Sequence, residues 1–149
     1  MNILICEDGF EYSETLERFL PDDFQWERAG TGSEALARLA RGGVDVVFLD
    51  MRFDRVPEAA LLGDLTAMAD RFNGDPVQAR QFLEDHQGNF ILAAIRDSGS
   101  RVPVLMSYDF EGEPRRWERL RARYSPLDYL PDNASPSDIA SRLRRLGGA

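Results

Sequence analysis

The segment VDVVFLD, Val44 to Asp50, most narrows what this chain can become. Its apolar run is too short for a globular helix and offers no polar face to solvent. A run of this kind is a central strand of a parallel sheet covered on both faces. It also ends on a carboxylate. A charged group at the tip of a buried strand is either a reactive or metal-binding residue or the ordinary polar stop that many buried strands have.

The rest of the chain alternates strand and helix. Asn2–Cys6 reads as a short apolar strand, and Tyr12, Leu16, Phe19 and Leu20 share one face of a helix that Pro21 ends. Phe24–Arg28 alternates as a second strand. Thr31 and Glu34 have capping-box spacing for a helix with Leu36, Leu39 and Ala40 inward and Gly42–Gly43 as its stop. Val102–Met106 and Leu127–Leu130 are the remaining strands, separated by a helix carrying Trp117, Leu120 and Tyr124. Ser135 caps a last helix with Pro136 in its first turn and Ile139, Leu143 and Leu146 inward. Between Pro57 and Gly99 the alternation stops. Leu61 or Leu62, Leu65, Met68 and Phe72 follow one helical face, and Asn73-Gly74-Asp75-Pro76 is a turn. A second helical run from Val77 carries Leu83, Phe90, Ile91, Ala94 and Ile95, with Gly88 as an interruption that a helix can either carry or break at. The expected architecture is α/β, most simply five parallel strands with helices on both sides.

Length and charge bound the function. The 149 residues suit one domain with a real core, and a net charge of −8 argues against nucleic acid or an anionic membrane as the main partner. No segment has the apolar length to span a bilayer, the start MNILICEDG lacks a signal peptide's regions, and Cys6 is alone, so the cytoplasm is the expected location. The arginines of RRWERLRARY and RLRRLGG lie in helical patterns and read as solvated helix faces. Every basic side chain is arginine, and the sequence has no lysine.

In a sheet of this class, ligands bind beyond the carboxyl ends of the strands, where strand order reverses. Glu7 and Asp8 follow the first strand, Asp50 the third and Ser107 the fourth. If the first and third strands are central neighbours, three carboxylates converge, and like charges that close raise one another's pKa unless a cation intervenes. A hard divalent ion that prefers oxygen, Mg²⁺, suits such a set. The alternative is that acids at loop starts are ordinary surface residues.

The segments ILICEDG, VDVVFLDM, VPVLMS and PLDYLP resemble, in order and setting, those of response-regulator receiver domains of two-component signalling. The resemblance spans nearly the whole chain except Arg52 to about Gln87. It implies a flavodoxin-like doubly wound sheet of order 2-1-3-4-5, a single receiver-like domain over 1–149 and a helical insertion at approximately 52–87. It implies that Asp50 is the phosphoacceptor, supplied by a partner histidine kinase or phosphotransfer protein. Glu7, Asp8, Asp50 and the backbone carbonyl of Arg52 would hold Mg²⁺. Ser107 would donate to the phosphoryl group, and Tyr129 would be the aromatic that turns when Ser107 shifts. Such a domain is a phosphoacceptor switch rather than a turnover enzyme, a monomer or weak homodimer that acts on a downstream protein, the insertion being one candidate surface.

Two features depart from that pattern. The family's lysine after the last strand is replaced by Asp132, with Asn133 beside it, and no other lysine exists to take the role. Asp132 reads as a turn residue, and Arg115 or Arg116 is the candidate cation in its stead. Asp50 and Ser107 are 57 positions apart, about twice the family's usual gap, and GNFILAAIRDSG resembles the usual third helix, so the extra residues precede it. A loop elaborated beside an active face suggests a lid or partner surface. His86, the only histidine, lies there and reads as structural. The alternative function is a pseudo-receiver, an interaction module not controlled by phosphorylation. A haloacid-dehalogenase-type phosphatase fits less well, because Cys6 stands at the nucleophile's place in CEDG.

Overall fold

A computed structural model of the chain describes residues 1–148. Five strands, β1 (Asn2–Cys6), β2 (Gln25–Ala29), β3 (Val46–Asp50), β4 (Val104–Ser107) and β5 (Leu127–Tyr129), form one sheet of order β2-β1-β3-β4-β5. All four pairings are parallel. The strands begin and end within two residues of their expected limits.

Strand alternation divides the core in two. Ile3, Ile5, Val46, Phe48 and Leu105 face α1 (Glu11–Phe19) and α7 (Pro136–Leu146), where they meet Leu16, Leu20, Ala140 and Leu143. Leu4, Val47, Leu49, Val104 and Met106 face the other way, into the larger cluster built with α2 (Gly32–Ala40), α5 (Gln87–Asp97) and α6 (Pro114–Tyr124). Cys6 belongs to that cluster, and burial pushes its thiol up to about 12, so it is a packing residue. Among the described residues no helix is long and apolar enough to cross a membrane.

Two helix faces differ from expectation. Phe19 lies off the stripe of Ser13, Leu16 and Leu20 and is 59% exposed, with the Arg18 guanidinium over its ring. Ala40 is exposed because Ala35, Leu36 and Leu39 already fill the contact of the short α2.

The segment after β3 folds onto the body. A 3₁₀ turn (Glu58–Ala60) leads to a hairpin of α3 (Leu65–Arg71) and α4 (Pro76–Asp85). The turn between them uses Asn73 and Gly74 at φ of 55° and 81°, and Asp75 caps α4 through the Val77 and Gln78 amides. Leu61, Met68, Ala79 and Leu83 are buried in the larger cluster, and Leu65, Phe72 and Phe82 pack against it. Buried Gln87 ties the segment down. Its side chain accepts from the Leu62 amide at 2.7 Å and donates to the Leu62 and Leu83 carbonyls at 3.0 and 3.1 Å.

The helical run from Val77, which the sequence leaves open at Gly88, divides two residues earlier at His86, whose φ and ψ of −115° and 16° leave the helix. The cause is the exit of β3, which docks at the junction. The Phe53 amide donates to the Glu84 carbonyl and the Gly88 amide to the Met51 carbonyl, both at 2.9 Å. Gly88 makes the approach possible, since a Cβ there would lie 2.5 Å from the Asp50 carbonyl oxygen and 2.9 Å from Met51 Cα. Gly→Ala inside a helix ordinarily gains up to about 1 kcal/mol. Here the sign should reverse: Gly88→Ala is expected to cost about 1–3 kcal/mol in urea denaturation, since backbone rather than a flexible side chain must move. An unchanged or higher midpoint would mean that the β3 exit does not bear on α5.

Candidate functional site at the carboxyl edge of the sheet

The carboxyl ends of β1, β3 and β4 lie side by side, which brings Glu7 and Asp8, Asp50, and Ser107 to one edge. Ser107 stands opposite Asp50 in the parallel register. Glu7 is buried and caps α1: its oxygens accept from the Tyr12 amide at 3.1 Å and from the Ser13 amide and hydroxyl, both at 2.7 Å. A negative group thereby meets the positive end of a helix whose own N-cap residue, Phe10, has no side-chain acceptor. Asp8 Oδ2 accepts from the Asp54 and Arg55 amides, each at 2.9 Å, and so holds the loop after β3 across the end of β1. Asp50 Oδ1 accepts from the Met51 amide at 2.8 Å. Asp8 Oδ1 and Asp50 Oδ2 have no donor among the described residues.

Asp50 carries the electrostatic strain of the site. Burial raises its carboxyl from 3.8 to about 6, with the charges of Asp8, Glu7 and Glu11 adding to the shift and the Met51 amide opposing it. Arg55, whose amide is bound by Asp8, has its guanidinium engaged by Glu11 at 2.6 Å and lying over Gly9. Tyr12 is the side chain that residue reading did not single out for the site. Its ring packs 5.1 Å from Phe48. Its phenol is raised by burial first, an interaction with the Ser107 hydroxyl opposes this, and Asp50, Glu7 and Asp132 add to it. Tyr12, Ser107 and Asp132 line a cleft of about 190 Å³. The available signal was positional: Tyr12 sits in the first turn of the helix that follows the β1 acids.

The other expected residues lie around this cleft. Asp132 is exposed, and its amide donates to Asp109 Oδ2 at 2.9 Å. Tyr129 pairs with Met106, one residue before Ser107, and its ring joins Trp117 at 4.8 Å and Phe110 at 5.6 Å. The Arg52 side chain is exposed and pairs with Asp85 at 3.1 Å and Asp54 at 3.4 Å. Arg116 does not take the lysine's place: it bonds Glu113 and His86 Nδ1, each at 3.0 Å. His86 is half-buried, stacks 4.3 Å from Phe82 and has its pKa lowered by burial and by Arg116, so the neutral ring serves as an acceptor.

The donor set suits a weakly held divalent ion. Asp8 Oδ1 and Asp50 Oδ2 are hard oxygens without other partners, and a cation would relieve the repulsion at Asp50. No group of three or more acidic, histidine or cysteine side chains encloses a metal by itself among the described residues. A backbone carbonyl and water would have to complete the shell.

No family model and no curated protein sequence matches the chain. Solved structures do. The receiver domain of the Francisella response regulator 1452 is 16% identical with a TM-score of 0.65, covering 99% of this chain and 96% of its own. The receiver domain of NtrX from Brucella abortus is 16% identical with a TM-score of 0.65, covering 99% and 98%. The receiver domain of sensor histidine kinase PA1611 from Pseudomonas aeruginosa PAO1, which has a magnesium ion coordinated in its active-site cleft, is 18% identical with a TM-score of 0.61, covering 99% and 98%. The fold is that of receiver domains.

The Asp50 shift has a consequence for stability. Between about pH 4 and 6 the folded chain holds a proton on Asp50 that the unfolded chain has released, so this group's contribution falls as pH rises through that window. Above it the ionised carboxylate costs about 3 kcal/mol. Asp50→Asn is therefore expected to stabilise the fold by about 2–3 kcal/mol at pH 7.5, the difference from wild type shrinking towards zero near pH 4. Urea denaturation of both proteins across that range measures it. A pH-independent difference would place the Asp50 carboxylate in water.

Proposed function

We propose that this chain is a receiver-type signalling module whose Asp50 accepts a phosphoryl group from a phosphohistidine on a partner kinase or phosphotransfer protein. The observation that carries the reading is Asp50 itself, a largely buried carboxylate with one free oxygen, beside Asp8 and opposite the Ser107 hydroxyl. Asp8, Asp50 and the carbonyl of Arg52 are the proposed holders of Mg²⁺. Glu7, with three donors already on its oxygens, contributes charge more than ligation. When bound, the ion supplies positive charge that offsets the negative charge of the site and of the phosphoryl oxygens.

The chain's own groups do the rest. Asp50 Oδ2 attacks phosphorus in line with the leaving imidazole nitrogen; the O–P bond forms as the P–N bond breaks, and its electron pair stays on the imidazole. Asp50 must be ionised to attack, and with a pKa of about 6 it largely is at neutral pH. Ser107 donates a hydrogen bond to the transferred group, with the Tyr12 phenol as a second donor from the same cleft. Glu7 positions Tyr12 by holding the first turn of α1. With Asp132 where a lysine would stand, both donors are neutral, so the phosphorylated state is only loosely coupled to Ser107 and Tyr129.

A second reading has an observation in its favour. Arg55, beside the Asp8 carboxylate, is paired with Glu11, and Asp132 adds a negative charge near Tyr12. That arrangement suits an interaction module in which phosphorylation plays no part.

Incubation with phosphoramidate and Mg²⁺ separates the two. The first reading expects one added phosphoryl group by mass spectrometry, absent in Asp50→Asn and without Mg²⁺, and slower below about pH 6. Asp132→Lys should enlarge the response of amides around Ser107–Asp109 and Tyr129, because a charge-assisted bond adds about 1 kcal/mol over a neutral one, or about fivefold in population. No incorporation, with Mg²⁺ bound at the acids, would leave the interaction module as the function.

A further inference from the structure

The chain carries 26 acidic residues against 18 basic ones, yet one groove is lined by the opposite charge. It runs between α5 and α6 and continues against the α3–α4 hairpin, as two adjoining lobes of about 310 and 370 Å³ that share Asn89 and Phe90. Arg119 and Arg123 border the first lobe, Arg71 and Arg116 the second, and among the described residues no carboxylate lines either. The floor is apolar and aromatic, from Phe90, Ala93 and Leu120 to Phe82 and Met68.

The arginines differ in how free they are. Arg116 is bound to Glu113 and His86. Arg71 lies over the Phe82 ring and Arg123 over the Tyr124 ring, at 5.6 and 5.3 Å. Arg119 and Arg123 are exposed and have no ion-pair partner among the described residues, whereas Arg121, on the same helix, is taken by Glu118. Where the lobes meet, Asn89 Oδ1 is buried without a hydrogen-bond partner. A buried acceptor without a donor carries a desolvation cost until one reaches it.

We propose that this groove docks an acidic amphipathic helix of a partner protein. The spacing selects the class of ligand. Arg116, Arg119 and Arg123 recur at i, i+3 and i+7 on α6, a row about 10 Å long, which matches carboxylates repeated along one edge of a helix. Apolar residues on the helix's inner edge would sit on Phe90, Ala93 and Leu120, as helices bind in grooves elsewhere. The proposal does not depend on phosphorylation of Asp50, since no residue of the carboxylate site lines the groove.

The test uses the whole chain and a fluorescein-labelled synthetic helix of about 16 residues, with glutamates at i, i+3 and i+7 and leucines on the adjoining edge. Fluorescence anisotropy should show saturable binding, weakened about threefold or more between about 50 and 200 mM salt. Arg119→Glu with Arg123→Glu should weaken it by about tenfold or more. Arg18→Glu with Arg41→Glu, an equal change in net charge elsewhere, should leave it within about twofold. In NMR, peptide-shifted amides should cluster at 89–93 and 116–124. The proposal is overturned if the lysine counterpart of the peptide binds equally well, or if both double variants lose binding alike. It is also overturned if a single-stranded oligonucleotide or vesicles of phosphatidylcholine with phosphatidylglycerol bind more tightly at the same arginines.

Discussion

A carboxylate held mostly out of water beside two others is the constraint to which the rest of this structure answers. Asp50 lies at the end of the central strand because the run before it is apolar on both faces and can only be buried. Its neighbours are set by parallel register, which aligns the carboxyl ends of β1, β3 and β4. Negative charge gathers there as a consequence of topology, and the fold spends backbone amides rather than cationic side chains on it. Glu7 takes the start of α1, Asp8 takes the loop after β3, and Asp50 takes only the Met51 amide. Asp50 is thus the least satisfied of the three, and its burial raises the carboxyl to about 6.

The same contacts fasten the segment between β3 and α5. Asp8 holds the loop from one side, while the Phe53–Glu84 and Gly88–Met51 bonds hold it from the other. Gln87 then clamps Leu62 with both ends of its amide. The hairpin of α3 and α4 is therefore part of the core and joined to the backbone that carries Asp50. On its other side Met68, Arg71 and Phe82 line the groove that Arg116 of α6 borders.

The distribution of charge separates two regions. The acids and Ser107 occupy the carboxyl edge of the sheet, while unpaired arginines and aromatic rings occupy the α5–α6 groove. Tyr108, which directly follows Ser107 and lines the cleft, bonds Glu113, and Glu113 in turn bonds Arg116 at the edge of the groove. A net charge of −8 describes neither region, because opposite charges in separate places cancel in the sum without meeting.

Much of this was legible in the residues. Apolar runs, caps and turn residues placed all five strands, the Ser135 cap and the Asn73–Pro76 turn, since these depend on neighbours within a few positions. Position after the strands of an α/β sheet pointed to Glu7, Asp8, Asp50 and Ser107, and resemblance supplied the strand order; the fold brings these residues to one edge. The division of a helical run at His86, the exposure of Phe19 and Ala40, and the capping duty of Glu7 were not legible. The first is set by contacts with the exit of β3, distant in sequence, and the second by the limited face a short helix presents. The third is set by the path of the Asp8–Phe10 loop, which turns the α1 amides back onto Glu7. Nor could the sequence say where its arginines point: Arg116 was a candidate for the missing lysine until the fold bound it to His86, 30 positions away. The sequence by itself determined which segments must be buried and which chemistry ends the central strand, because burial and capping act on local pattern. Only the tertiary structure decided which carboxylate is left unsatisfied and which arginines are free, because partners for charge are chosen by proximity in space.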